Sequence, residues 1–115
     1  MEHLEHLPRA VAAAASEKKA RDITILDMKG VSLVTDYFVI CSANSVIQAQ
    51  AIIDNIEEKL DEQGIKSLHK EGSRDSRWVL LDYGNVVAHI FVEEDRVFYN
   101  LERLWGDAKA YKYEA

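Results

Sequence analysis

Gly72 and Ser73 open the stretch of this sequence whose residue types point most directly to phosphate chemistry. A nucleotidyl-transfer site needs a Gly-Ser loop that cradles an anion beside paired carboxylates, because two metal ions must stabilise the attacking and leaving oxygens. Only Asp75 lies close to this loop, and the next acids, Glu93 and Asp95, fall on the far side of a predicted hairpin. The pieces do not assemble in sequence. Metal ligation by histidine has no better support: His3 and His6 share helical spacing near the start of the chain, and His69 and His89 lack Cys, His or paired acids at ligand spacing. The sequence contains no Gly-x-Ser-x-Gly elbow, no phosphate-binding Gly-rich motif and no Cys-x-x-Cys pair. We therefore expect no catalytic residues, no metal and no cofactor.

The elements around those residues carry a clearer signal. Trp78 to Tyr83 and Val86 to Val92 read as two strands about Gly84-Asn85, a two-residue turn with Gly where a type II′ hairpin needs positive φ. That register sets Tyr83 opposite Val86, Leu81 opposite Ala88 and Val79 opposite Ile90 on one face, which is nearly pure core. The other face takes Trp78 beside Phe91, Leu80 beside His89 and Asp82 beside Val87. Aromatic bodies with polar tips suit a protein partner, so Trp78, Leu80, Asp82, His89 and Phe91 are candidate contact residues. The competing expectation has Trp78 and Phe91 packed beneath the last helix, in which case Asp82 and His89 would need buried partners.

Upstream, Leu4, Leu7, Val11, Ala14 and Ala15 follow helical spacing, with Pro8 in the first turn and Lys18, Lys19 and Arg21 favouring the C-terminal end. Ile23 to Met28 and Tyr37 to Cys41 are β-rich. The unbroken Tyr37-Phe38-Val39-Ile40-Cys41 run predicts a strand buried on both faces near the sheet centre, reached by a loop that begins at Lys29-Gly30. Ser45-Val46-Ile47-Gln48 has capping-box spacing, and Ala49, Ile52, Ile53, Ile56 and Leu60 form a helical apolar stripe that stops before Gly64. Ile65 to Glu71, with Lys66 and Lys70, reads as an edge strand. Glu93 to Asp95 start a last helix that turns Val97, Phe98, Leu101, Leu104 and Trp105 inward and ends at Gly106. The order α-β-β-α-β-β-β-α predicts a single α/β domain over residues 1–115, built on a mixed sheet flanked by helices, with 1–3 and 108–115 as flexible termini.

Composition fits that domain. A chain of 115 residues supports one hydrophobic core; 48% hydrophobic and 30% charged residues exclude disorder, and no apolar run approaches the ~20 residues that span a bilayer. The acidic start, Met1-Glu2-His3-Leu4-Glu5-His6, lacks the basic region of a signal peptide, and the lone Cys41 lies in an apolar strand, so we expect no export and a reducing compartment, with Cys41 as a small core residue. Fourteen basic against 20 acidic residues give a formal charge of −6, which argues against binding the nucleic-acid backbone and for a basic protein partner. The acids cluster at Glu57, Glu58, Asp61 and Glu62, read as a solvated helix face, and again at Glu93, Glu94, Asp95, Glu102 and Asp107.

Three segments, Asp36 to Ile40, Trp78 to Gly84 and Phe98 to Asp107, closely resemble the ribosomal silencing factor family, also called Iojap-like. The likeness extends over nearly the whole chain. It implies a nucleotidyltransferase-like α/β fold without transferase activity, and binding to the large ribosomal subunit through universal large-subunit protein fourteen. A factor seated there sterically blocks subunit joining and lowers translation when nutrients are scarce. The resemblance further implies contacts from Trp78, Leu80, Asp82 and Tyr83 with nearby acids, although hairpin parity puts Tyr83 on the core face. It also implies a cytoplasmic protein and a homodimer when free. The readings set against it are a metal-dependent nucleotidyltransferase, prompted by the fold relationship and Gly72-Ser73, and a dimeric adaptor unconnected with ribosomes.

Overall fold

A computed structural model describes residues 6–114. The Leu4 end of the first predicted helix, His3 and the 1–3 terminus lie outside the described residues. Helix α1 (His6–Glu17) carries Pro8 in its first turn and buries Val11, Ala12, Ala14 and Ala15, small side chains that let it lie close to the sheet. Arg21, expected to complement that helix end, instead begins strand β1 (Arg21–Asp27). Strand β2 (Tyr37–Ala43) is buried along almost its whole length, as its unbroken apolar run predicts.

Helix α2 (Val46–Glu62) begins where the capping signal placed it: Ser45 Oγ accepts the Gln48 N–H at 3.1 Å. Gln48 Oε1 reaches back one residue further than a standard capping box and accepts the Asn44 N–H at 2.7 Å. Ala49, Ile52, Ile53, Ile56 and Leu60 are all buried, and the helix stops ahead of Gly64 at φ +78. The edge strand is shorter than expected, only β3 (His69–Glu71), and fully exposed. Strands β4 (Trp78–Asp82) and β5 (Val86–Val92) form the hairpin in the predicted register, with Val79 opposite Ile90, Leu80 opposite His89 and Asp82 opposite Val87. Gly84, at φ +88, takes the turn.

The chain then departs from expectation. The predicted single last helix is two, α3 (Glu93–Tyr99) and α4 (Leu101–Leu104), separated by Asn100 in the left-handed region at φ 49. The 108–115 segment, expected as a flexible terminus, contributes strand β6 (Lys109–Lys112), which pairs with β1. Four residues with only two apolar members give no periodic signal, yet β1 offers them a free antiparallel edge.

The six strands form one mixed sheet in the order β3-β4-β5-β2-β1-β6, in which the central pair β2 and β5 is parallel and every other neighbouring pair is antiparallel. This is the α/β domain with a mixed sheet that the sequence predicts. Helices α1 and α2 cover one face, burying Ile25, Val39, Cys41, Val79, Leu81, Ala88 and Ile90 among others. Burial there pushes the Cys41 thiol up to about 12, so it stays a protonated core group. The opposite face has a smaller core of Leu26, Met28, Ile40, Phe91 and Leu101, against which Phe38, Trp78 and Trp105 pack half-buried.

Candidate functional site

The phosphate-chemistry residues do not converge. Gly72 adopts φ +109, and a Cβ there would stand 2.9 Å from Val79 Cγ2, so glycine is required by close packing against β4. The Ser73 N–H donates to Ser76 Oγ at 2.8 Å and closes the loop on itself. Asp95 is engaged by Arg77, whose Nε lies 2.8 Å from Oδ1, while Arg77 Nη2 reaches Glu94 at 3.2 Å. Among the described residues, no group of three His, Cys, Asp or Glu is placed to hold a metal ion. His6 shares a hydrogen bond with Gln63, and His69 pairs with Glu71 on the exposed edge strand.

The hairpin face that does not pack on α1 and α2 organises itself around Trp78. Its indole stacks on Phe91 with ring centroids 4.8 Å apart, meets Tyr99 of α3 at 4.7 Å, and donates its Nε1–H to His89 Nδ1 at 3.2 Å. Phe98 continues the row, 5.1 Å from Tyr99 and edge-on to it. Trp78 and Leu80 are half-buried, so each keeps part of its side chain accessible.

The remaining predicted contact residues occupy other positions. Phe91 is fully buried and His89 is 4% exposed, so both lie beneath the surface and support Trp78 from below. Tyr83 is buried against α2 on the opposite side of the sheet, where burial and then the charge of Glu57 push its phenol up to about 12. It lies on the other side of the sheet from Trp78, as hairpin parity predicts. Asp82 is half-buried, and its Oδ1 accepts the Gly84 N–H at 2.8 Å, so one carboxylate oxygen serves the hairpin turn.

The largest correction concerns the last helix. Val97, Phe98 and Leu104, expected to face inward, are 68%, 80% and 69% exposed; of that stripe Leu101 is buried and Trp105 half-buried. Asn100 resets the helical phase: it ends α3 in left-handed geometry and caps α4, with its side chain accepting the Arg103 N–H at 3.3 Å. The buried residue of α3 is Arg96. Its guanidinium donates to Ser42 Oγ at 2.9 Å, to the Asp22 carbonyl at 2.6 Å and to Glu102 Oε2 at 2.6 Å. The Asp22 carbonyl is available because β1 is irregular between Arg21 and Thr24, with Asp22 at φ 50. Reading one unbroken helix hid both facts, whereas Asn100 itself, a residue tolerant of left-handed geometry and a strong N-cap, carried the signal of the break.

The result is a row of Trp78, Tyr99 and Phe98, with Val97 and Leu104 lining the same surface as Phe98 and Tyr99, and with the Arg77–Glu94–Asp95 ion pairs nearby. Most acids of the second cluster are engaged within the fold, since Glu94 and Asp95 face Arg77 and Glu102 faces Arg96. The surface is therefore more apolar and less acidic than the sequence suggests. Exposed apolar side chains grouped in this way make the surface a candidate interaction site.

Comparisons with known proteins bear on the same chain. The family model described as "Ribosomal silencing factor during starvation" matches residues 1–115. A ribosomal silencing factor of Bacillus subtilis is 52% identical over 100 residues, covering 87% of this chain and 85% of that protein. The chloroplastic protein Iojap of Zea mays is 42% identical over 102 residues, covering 86% of this chain and 43% of its own length. Among solved structures, a crystal structure from Bacillus halodurans superposes with a TM-score of 0.79 at 41% identity, covering 95% of this chain and 97% of the other. One from Chromobacterium violaceum superposes with a TM-score of 0.84 at 28% identity, covering 97% and 95%.

Proposed function

The chain belongs to the ribosomal silencing factor family, and from that premise we propose that it binds the large ribosomal subunit through universal large-subunit protein fourteen and sterically blocks joining of the small subunit when nutrients are scarce. The observation that carries this reading is the row formed by half-buried Trp78 with exposed Tyr99 and Phe98, on a hairpin face that Leu80 shares. A half-buried Trp held on a rigid hairpin loses little conformational freedom on binding, which is what makes aromatic anchors dominate protein interfaces. Blocking by occupancy needs no catalytic group, so the reading is non-enzymatic. The protein acts in the cytoplasm in this account, and the free form covers the same apolar face by pairing with a second copy.

Sucrose-gradient sedimentation of purified subunits tests the proposal. With the protein present, it should travel with the large subunit, and fewer joined ribosomes should form at fixed magnesium. Absence of co-sedimentation at micromolar protein overturns the reading, and an unbiased pull-down that returns a dominant partner outside the ribosome replaces it with the adaptor reading.

A further inference from the structure

Strand β5 reads Val-Val-Ala-His-Ile-Phe-Val and is buried along its whole length, with His89 as its one polar side chain. An imidazole in such a place is disfavoured relative to Leu or Phe unless its ring nitrogens are used. Nδ1 accepts the Trp78 indole N–H at 3.2 Å. An indole N–H can only donate, so the neutral ring carries its proton on Nε2, and that nitrogen has no hydrogen-bond partner among the described residues. The imidazole is braced by Phe38, edge-on with centroids 4.6 Å apart.

Trp78 is thus held at three points, by its stack on Phe91, by Tyr99 and by its N–H on His89. Stacking alone permits the indole to turn over about its own axis, which would carry the N–H to the other edge. The hydrogen bond to His89 removes that freedom, and with the N–H engaged inside the domain, the accessible part of the ring is hydrocarbon.

We propose that His89 is a positioning residue for the docking surface: from its buried place on the same sheet face it holds Trp78 in the orientation that offers a protein partner an apolar edge and requires no hydrogen-bond acceptor in return. The inference rests on the reading of this face as the ribosome-binding surface and assigns a role to a residue that does not itself reach the partner.

The test compares the full chain with His89→Phe and His89→Asn. Phe keeps a ring and loses the acceptor; Asn places an oxygen at the δ position that Nδ1 occupies. His89→Leu runs in parallel as a smaller apolar variant in case Phe overpacks the site. Three readouts are taken: the Trp78 indole N–H resonance, assigned against Trp105→Phe; the thermal midpoint; and co-sedimentation with large subunits. The apolar variants should shift the resonance and bind roughly tenfold more weakly, with little change in thermal midpoint because removal of the unpartnered Nε2–H offsets the acceptor lost to the indole. His89→Asn should restore the resonance and most of the binding. A merely structural role predicts that binding falls only with stability. Normal binding by the apolar variants, or no recovery by His89→Asn once the resonance has returned, overturns the proposal. If the unmodified chain fails to sediment with large subunits, the docking reading has failed instead, and a resonance unmoved by His89→Phe and His89→Leu overturns the positioning contact by itself.

Discussion

Arg96 and Glu102 clasp each other across the left-handed residue Asn100, with Nη2 2.6 Å from Oε2, while the same guanidinium reaches Ser42 on β2 and the Asp22 carbonyl on β1. One buried cation thus ties the two short helices to the sheet and sets the angle at which Phe98 and Tyr99 project. Arg96→Met should reduce the unfolding free energy by about 3 kcal/mol, because it leaves several buried acceptors unpaired. Arg96→Lys should recover little, since one ammonium cannot serve acceptors spread around a planar fork. Denaturant midpoints measured at constant slope check both, and an Arg96→Met midpoint equal to that of the parent would refute the assignment.

Trp78→Ala should weaken binding to the large subunit about thirtyfold, the effect of losing a central anchor that contributes ~2 kcal/mol. Because the ring also stacks on Phe91, some loss of thermal stability should accompany it. Trp78→Phe separates the two effects by keeping an aromatic stack without the indole N–H. Unaltered binding by Trp78→Ala would remove the residue from the interface.

For Asp82, the hairpin turn and any partner contact share one carboxylate. Asp82→Asn retains an oxygen for the Gly84 N–H and removes only the charge, whereas Asp82→Ala loses the turn contact and should be less stable by about 1 kcal/mol. Asp82→Lys should bind large subunits worst, because it adds like charge facing a basic surface, and its defect should shrink as salt screens it. Identical, salt-independent binding by the parent, Asp82→Asn and Asp82→Lys would exclude a charge contact at this position.

Acid should act on the fold through His89. Burial pushes this imidazole from its usual 6.5 down to about 4. Between those values the unfolded chain binds more protons than the folded one, so stability is complete above pH 6.5, falls as the pH drops towards 4, and levels off below. A shift of this size corresponds to roughly 3 kcal/mol across the window. Comparing thermal midpoints of the parent and His89→Asn at pH 7 and pH 4.5 isolates the effect, because all the carboxylates are common to both. An equal acid-induced drop in the two proteins would show that His89 contributes nothing to it.

Elements whose burial follows a simple period were legible in the sequence. The Tyr37–Cys41 run, the Ala49 to Leu60 stripe and the Gly84 turn each have one physical solution, and the hairpin register followed from that turn with its pairs correct to the residue. The site was half legible for the same reason: parity placed Trp78, Leu80 and Asp82 on the outer face. It could not tell that Phe91 and His89 would be covered, since that depends on where Tyr99 and Phe38 come to rest. The exposed apolar row was missed because periodicity presumes a continuous helix, and one left-handed Asn100 exchanged inside for outside along Val97, Phe98 and Leu104.

Strand β5 lies between β4 and the parallel strand β2, and all seven of its residues are buried. Its antiparallel neighbour is local in sequence, while β2 is separated from it by α2 and the β3–β4 segment, so closing the hairpin costs less chain entropy than pairing β5 with β2. With its β2 side unpaired, the apolar run Val86–Val92 would offer an edge suited to pairing with another molecule. Glu93, Glu94 and Asp95 follow it without a gap. The carboxylates that start α3 thereby also have the placement of gatekeepers, since their like charge opposes pairing of this strand between two chains.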